Sequence, residues 1–257
     1  MSYLFTVCGR AGSKGVKNKN LKDFCGAPLV YYSLAAIALF KERYAKDEDV
    51  DVVLNTDSEE LISLVGRQDE IKVGIIRRDE SLGGDSVPKV DVIKDCLGKA
   101  TDMFGKQYDM VIDLDITSPL RTAEDVANAV AKKRGREETD VVYSVTNSRR
   151  NPYFNMVKEE NGFFVKAVAS DYTARQQAPV MYDMNASIYA YSVRALKEKS
   201  AVGFFNNGCD AVFMRDTAVL DIDSEEDYAL MQVIGAHFFE TQEDMGEVRN
   251  KAISMVK

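Results

Sequence analysis

A mostly parallel α/β sheet with helices on both faces is the fold that this 257-residue sequence predicts. Three observations carry that expectation. Short apolar runs alternate with amphipathic segments at the spacing of strand–helix–strand units. Turns rich in Gly, Asn, Asp and Ser follow the runs. Apolar residues make up 46 % of the chain and charged residues 29 %, enough to bury a full core and keep a wetted surface.

The elements follow in order. "YLFTVCG" (3–9) is an apolar run ending in Gly, the pattern of a buried strand. "APLVYYSLAAIALFKERYAK" carries Leu29, Val30, Ser33, Leu34, Ile37 and Ala38 on one helical stripe, with Pro28 in its first turn. "VDVVLNTD" (50–57) reads as a strand, and Ser58 with Glu59 and Glu60 opens the next helix. "KVGIIR" (72–77) is a strand, 86–104 a helix, "YDMVIDLD" (108–115) a strand, 122–135 a helix stopped by Gly135, and "TDVVYSV" (139–145) a strand. The rhythm breaks near 146. "TNSRRNPYFNMVKEENGFFVKAV" reads as a hairpin turning at Asn161-Gly162, followed by a polar, loop-like stretch. It returns with strands "ASIYAYS" (186–192), "DAVFMR" (210–215) and "AVLDID" (218–223), then a helix from Ser224. The expectation is one Rossmann-like domain over 1–240, with 146–184 inserted in it and 241–257 as a tail, helical or frayed. The insertion is too small for a core of its own, so a partner subunit is its natural support.

Composition excludes several functions. The formal charge of −8 argues against a nucleic-acid partner, which needs a basic footprint. Cys8, Cys25, Cys96 and Cys209 are scattered without zinc or disulfide spacing, as expected of cytoplasmic free thiols. No signal sequence opens the chain, and its apolar runs are far below the ~20 residues that span a bilayer. The single histidine, His237, lies in an amphipathic helical pattern, so chemistry must rest on Lys, Arg, Asp and a metal.

Three stretches carry that chemistry. "CGRAGSKGVKNKNL" (8–21) follows the first strand and holds Gly9, Gly12 and Gly15 beside Arg10, Lys14, Lys17 and Lys19. Backbone N–H groups and cations of such a turn suit a phosphate. A tight strand-to-helix turn with solvated cations would look the same. The Walker ending Gly-Lys-Ser/Thr is absent, and the evenly spaced glycines do not form the G-x-G-x-x-G dinucleotide fingerprint. "LDITSPLRT" (114–122) offers the hydroxyls of Thr117 and Ser118 and the planar fork of Arg121. "LDIDSEED" (220–227) sets Asp221 and Asp223 on one face of a strand end, a pair that repels unless a cation joins it. Mg²⁺ favours one or two carboxylates plus substrate phosphates. In a parallel sheet the loop at 8–21, Asn55–Asp57 and Asp115–Arg121 fall along the carboxyl rim, where ligands bind.

In this order and spacing, "GRAGSKGVKNKNL", "NTDSEEL", "ITSPLR", "RQQAPVMYDMNASIY" and "LDIDSEED" resemble the CMP-sugar synthetases from residue 3 to about 235. The resemblance implies a nucleotidyltransferase, GT-A-like fold. It also implies a reaction of CTP with a nonulosonic acid to give CMP-sugar and pyrophosphate, in the service of cell-surface polysaccharide. Arg10, Lys19 and Asp223 would be catalytic, and Asp221 and Asp223 would hold Mg²⁺. Arg10, Gly12, Ser13, Lys14, Lys19, Asn20, Arg78, Thr117 and Ser118 would bind the nucleotide. Asp115, Arg121, Phe154, Arg175, Gln176 and Tyr189 would bind the sugar, Arg175 on its carboxylate. The insertion would be the family's dimerisation element, making a homodimer.

Three departures are visible. Asp115 stands where the sialic acid enzymes read Gln, and a carboxylate accepts but cannot donate. Phe154 stands where a sugar-side lysine is expected. Ala186-Ser187 replaces Gly-Ala in the family's "NGAIY". "DLDITSPLR", "RRNPYFN" and "YDMNASIY" look most like the CMP-legionaminic acid synthetases, with sialic acid next. A CMP-Kdo synthetase, a GT-A-like glycosyltransferase using the 221–223 aspartates, and an inactive nucleotide sensor are the competing readings.

Overall fold

The computed structural model describes residues 1–12 and 15–256. In chain order the elements are β1 (Ser2–Cys8), β2 (Asp23–Phe24), β3 (Ala27–Pro28), α1 (Leu29–Tyr44), β4 (Asp49–Thr56), α2 (Glu59–Val65), β5 (Gly74–Arg77) and α3 (Lys89–Phe104). Then come β6 (Met110–Leu114), α4 (Ala123–Arg134), β7 (Val141–Asn147), β8 (Val157–Glu160), β9 (Phe163–Lys166), β10 (Tyr182–Ser192), α5 (Val193–Glu198), β11 (Cys209–Phe213), α6 (Glu225–Thr241) and α7 (Glu243–Ser254).

Among the described residues the main sheet runs β11-β7-β10-β6-β1-β4-β5. All its pairs are parallel except those of β10, which lies antiparallel between β6 and β7. Side-chain alternation along each strand divides the core into two layers. Phe5, Val7, Ile112 and Leu114 point into one layer with α1, α4 and α7. Leu4, Val53, Val111 and Val141 point into the other with α3 and α5. Register brings Cys8 beside Asn55, and Thr6 beside Asp113, so the carboxyl ends of β1, β4 and β6 form one rim.

Capping chemistry marks the helix starts on that rim. Thr122 and Ser224 each form a capping box with an Asp three residues on, opening α4 and α6. The hairpin β8–β9 turns at Asn161 and Gly162, whose φ values of 54° and 81° suit a type I′ turn.

The structure departs from the sequence reading in three places. Every residue of α1 from Leu29 to Phe40 is buried, not a single stripe. The reason lies in the last segment, where α7 packs along α1 and buries Met245, Val248 and Ala252. β10 begins at Tyr182, inside the stretch read as loop, and its pairing with β7 shifts register between Met184 and Tyr189. Residues 218–223 are not a strand: Asp216–Val219 is a 3₁₀ turn and 220–223 runs on without sheet pairing. Ile222, buried among apolar side chains, is tied back by its N–H to the Thr117 carbonyl at 3.0 Å. No helix among the described residues is long and apolar enough to cross a membrane.

Candidate active site

The loop after β1 is built against its own chain. A Cβ on Gly15 would overlap the carbonyl oxygen of Asp223, so the loop and the 221–224 segment meet at a contact only glycine allows. Lys19 reaches across the same seam. Its Nζ donates to the Ile222 carbonyl at 2.6 Å and lies 3.2 Å from the Asp223 carboxylate. Asn20 donates to the Arg10 carbonyl at 3.2 Å, and the Ala11 N–H donates to Asp57 at 2.6 Å. Arg10 pairs with Asp85 at 2.5 Å.

These residues enclose a cavity of about 400 Å³ at the rim, lined by Cys8, Gly9, Arg10, Gly15, Lys19, Asn20, Asp115, Thr117, Ala186, Asp221 and Asp223. A smaller cavity of about 230 Å³ adjoins it across Arg10 and Asp115 and is bounded by Arg78, Leu82, Val87 and Lys89. Arg78 is oriented by Asn55, to whose side-chain oxygen its Nε donates at 2.6 Å. Asp221 titrates above the ordinary carboxylate range, because burial and the negative charges of Asp223 and Asp115 disfavour its ionised form.

Asp115 is held from several sides. Its carboxylate accepts from Lys89 at 2.6 Å and from the N–H and hydroxyl of Thr117 at 3.2 and 3.1 Å. Burial works against its charge, but Lys89 and these hydrogen bonds outweigh it and hold the carboxyl at about 2. Tyr189 flanks the pair, stacked on Tyr191, its hydroxyl pushed by burial up to about 12.

Other expected site residues lie elsewhere. Arg121 is fully buried and lines neither of these two cavities. Its guanidinium donates to the carbonyls of Ser187 and Asp115 and to the Ser33 hydroxyl, and burial lowers it to about 10. It joins β6, β10 and α1 beneath the rim. Ser118 is buried and does not reach the cavity lining. Arg175 and Gln176 line a separate cavity of about 400 Å³ in the insertion, with Asn147, Arg150, Asn151 and Met181. Phe154 sits in the turn that closes on Asn151 and lines neither cavity. Ser13 and Lys14 fall outside the described residues. Lys89 and Asp85 were missed by sequence reasoning. Lys89 alone left a signal: it is a cation in the first turn of a helix, where the macrodipole disfavours one.

The sequence profile described as Cytidylyltransferase matches residues 5–217. The chain belongs to this family. Its members are nucleotidyltransferases. A CMP-N,N'-diacetyllegionaminic acid synthase of Campylobacter jejuni is 34 % identical over 234 residues, covering 90 % of this chain and 94 % of that protein. Post-translational flagellin modification protein B of Campylobacter coli is 32 % identical over 237 residues, covering 90 % and 94 %. An N-acylneuraminate cytidylyltransferase of Streptococcus agalactiae is 26 % identical over 242 residues, covering 93 % of this chain and 54 % of that protein. Among solved structures, CMP:2-keto-3-deoxy-manno-octonic acid synthetase complexed with CTP superposes with a TM-score of 0.65 at 16 % identity, covering 92 % and 99 %. That likeness bears on the fold: the mostly parallel sheet is a nucleotidyltransferase sheet.

Proposed function

We propose that this cytidylyltransferase joins CTP to a nonulosonic acid, legionaminic acid before sialic acid, giving the CMP-sugar and pyrophosphate. The observation that carries the reading is the meeting of Arg10 and Lys19 with Asp221 and Asp223 around one rim cavity. The relatives named for legionaminic and N-acylneuraminic acids support the substrate class.

The anomeric hydroxyl oxygen bonds to the α-phosphorus. The bond to the oxygen bridging α- and β-phosphorus breaks in line, pyrophosphate takes that electron pair, and the hydroxyl proton passes to solvent. Positioning and charge neutralisation supply the rate, with no covalent enzyme intermediate. Arg10, Lys19, Asn20 and the backbone near Gly12 cradle the triphosphate. Arg78 and the smaller cavity take the cytidine end, and Thr117 and Ser118 shape the turn at the β6 end.

The donor chemistry fits Mg²⁺. Among the described residues no three or more His, Cys, Asp or Glu are arranged to hold a metal, so Asp221 and Asp223 are an incomplete set of oxygens. Phosphate oxygens and water complete such a set for Mg²⁺, and the crowding of negative charge on Asp221 favours a cation there. When bound, the ion neutralises charge on the reacting phosphates.

The second subunit enters through the insertion. Phe163 and Phe164 are each 74 % exposed, and Val157, Val180 and Tyr182 extend the apolar surface. A surface of this kind suits a second copy. Arg175 and Gln176, away from the rim cavity in their own chain, would then serve a partner's sugar site. CTP as substrate and the free thiols fit a cytoplasmic setting.

Pyrophosphate release measured with CTP, Mg²⁺ and a panel of legionaminic, sialic, pseudaminic and Kdo sugars tests the function. Release with legionaminic acid is the expected result. No release with any sugar refutes the synthetase reading, and preference for Kdo replaces it with the alternative. A monomer in sedimentation at working concentration refutes the dimer.

A further inference from the structure

Lys89 belongs to none of the motifs, yet it sits in the cavity wall beside one. Its Nζ lies 2.7 Å from the Asp113 carboxylate and 2.6 Å from that of Asp115. Asp113 is wholly buried and also accepts the Thr6 hydroxyl at 2.8 Å. Two neighbouring carboxylates at the end of β6 thus share one ammonium. Asp115 is fixed at both ends, its carboxylate by Lys89 and Thr117 and its backbone carbonyl by Arg121. Asp115 faces both adjoining cavities, Lys89 the smaller one, and the Tyr189 ring lies 5.9 Å from the ammonium.

A carboxylate alone offers a ligand only acceptors, whereas an amide offers both a donor and an acceptor. Lys89 lies 2.6 Å away, and of its three N–H groups two go to Asp113 and Asp115, so the third supplies the missing donor. We propose that Lys89 and Asp115 work as one donor–acceptor pair that orients polar groups of the sugar substrate, with Lys89 as a positioning and specificity-determining residue. The proposal rests on the cytidylyl-transfer reading above.

A double-mutant cycle tests the pair, using Lys89→Gln, Asp115→Gln and the double variant, with KM measured separately for sugar and for CTP. Each single variant should raise the sugar KM about tenfold, the scale of one hydrogen bond to a charged group. The double variant should stay near that same tenfold level, because a broken pair cannot be broken twice. Asp115→Gln should leave the CTP KM within about threefold, since it adds no negative charge beside the triphosphate. A purely structural role would lower melting temperature and kcat without splitting the two KM values. An additive, about hundredfold rise in the double variant overturns the proposal, as does an unchanged sugar KM in Lys89→Gln. Should Lys89→Gln fail to fold, Lys89→Arg keeps the cation while displacing Asp115. It should then raise the sugar KM with the CTP KM held, and equal effects on both overturn the pair. A wild-type chain that releases no pyrophosphate with any nonulosonic acid refutes the proposed function and this inference with it. An active wild type with additive variants refutes the pair alone.

Discussion

Gly15→Ala is a single added methyl group with a calculable consequence. Gly15 is exposed and its φ is not in the left-handed region, so alanine meets no backbone strain there. The methyl would instead overlap the Asp223 carbonyl oxygen and lie 3.0 Å from its carbon. Ordinary carbon–oxygen contacts begin near about 3.3 Å, so the loop and the 221–224 segment must part by roughly 1 Å or more. Lys19 spans that seam, with 2.6 Å to the Ile222 carbonyl and 3.2 Å to Asp223. Parting the seam separates the 8–21 loop from the carboxylates that the proposed function sets opposite it. Misplacement by about 1 Å costs on the order of 10²-fold in rate, or roughly 2.7 kcal/mol of transition-state stabilisation. Stability should suffer less. The lost contacts are two hydrogen bonds of about 1 kcal/mol each, which in a chain of this size shifts the melting temperature by roughly 4–8 °C at most. Pyrophosphate release and calorimetric melting measure both quantities. Activity within about threefold of wild type would refute the view that this contact sets the site geometry. A melting point lowered far beyond that range would instead make Gly15 a folding residue.

Other expectations are narrower. Ala186 has φ 50° where the resembled motif carries Gly; Ala186→Gly should relieve about 1 kcal/mol of left-handed strain, partly offset by unfolded-state entropy, and calorimetry should show unchanged or raised stability. Arg121→Met should lower stability by roughly 3 kcal/mol, because the Ser187 and Asp115 carbonyls lose their buried donor; the loss should show in denaturant unfolding, while residual folded enzyme keeps its CTP affinity. Asp223→Asn should reduce kcat by at least about 10²-fold with melting unchanged, and near-normal turnover at saturating Mg²⁺ removes Asp223 from the metal set. Asp115 is held at about 2 against an ordinary 3.8, a depressed carboxyl, so its stabilisation is complete above about pH 4 and fades as pH falls toward 2. Wild type should therefore exceed Asp115→Asn by roughly 2 kcal/mol at neutral pH, with the gap closing in acid unfolding below pH 4.

The sequence showed the fold where the physics is local. Strand and helix periods, the caps at Thr122 and Ser224 and the Asn161-Gly162 turn are each decided within a few residues. It failed where a distant segment decides. The full burial of α1 depends on α7, some 200 residues later in the chain, and no period within α1 reports it. The antiparallel direction of β10 depends on the inserted hairpin that returns the chain between β6 and β7. Asp221 and Asp223 were recognisable as a pair, but their strand was not real. A segment carrying two carboxylates at a cavity edge finds no sheet partner, and the buried Ile222 between them is what anchors it. Arg121 reads as a ligand residue from its planar fork and from the resemblance of its motif. Its guanidinium is consumed by backbone carbonyls that only the tertiary fold brings together.

The charges of the rim explain how an acidic chain can build a site for a polyphosphate. Arg10 is paired with Asp85, both side chains exposed, where such a pair is worth little, and the largely buried Lys19 is paired with Asp223, whose own carboxylate is 73 % exposed. A triphosphate, with more charge and better acceptors, would displace both carboxylates. Asp223, released from Lys19, would then be free to act with Asp221 toward a cation. Nucleotide and metal would thus favour each other's binding, and the coupling would be equal in both directions. Lys89 differs. It is shared between Asp113 and Asp115, and although burial opposes its charge, the two carboxylates hold it protonated well above the ordinary lysine range. An incoming phosphate would have to compete with two anions for it, one of them wholly buried. The two adjoining cavities therefore hold cations poised to change partners and one cation fixed in place, a difference that fits the first kind to the proposed nucleotide site and the second to holding the wall proposed to orient the sugar.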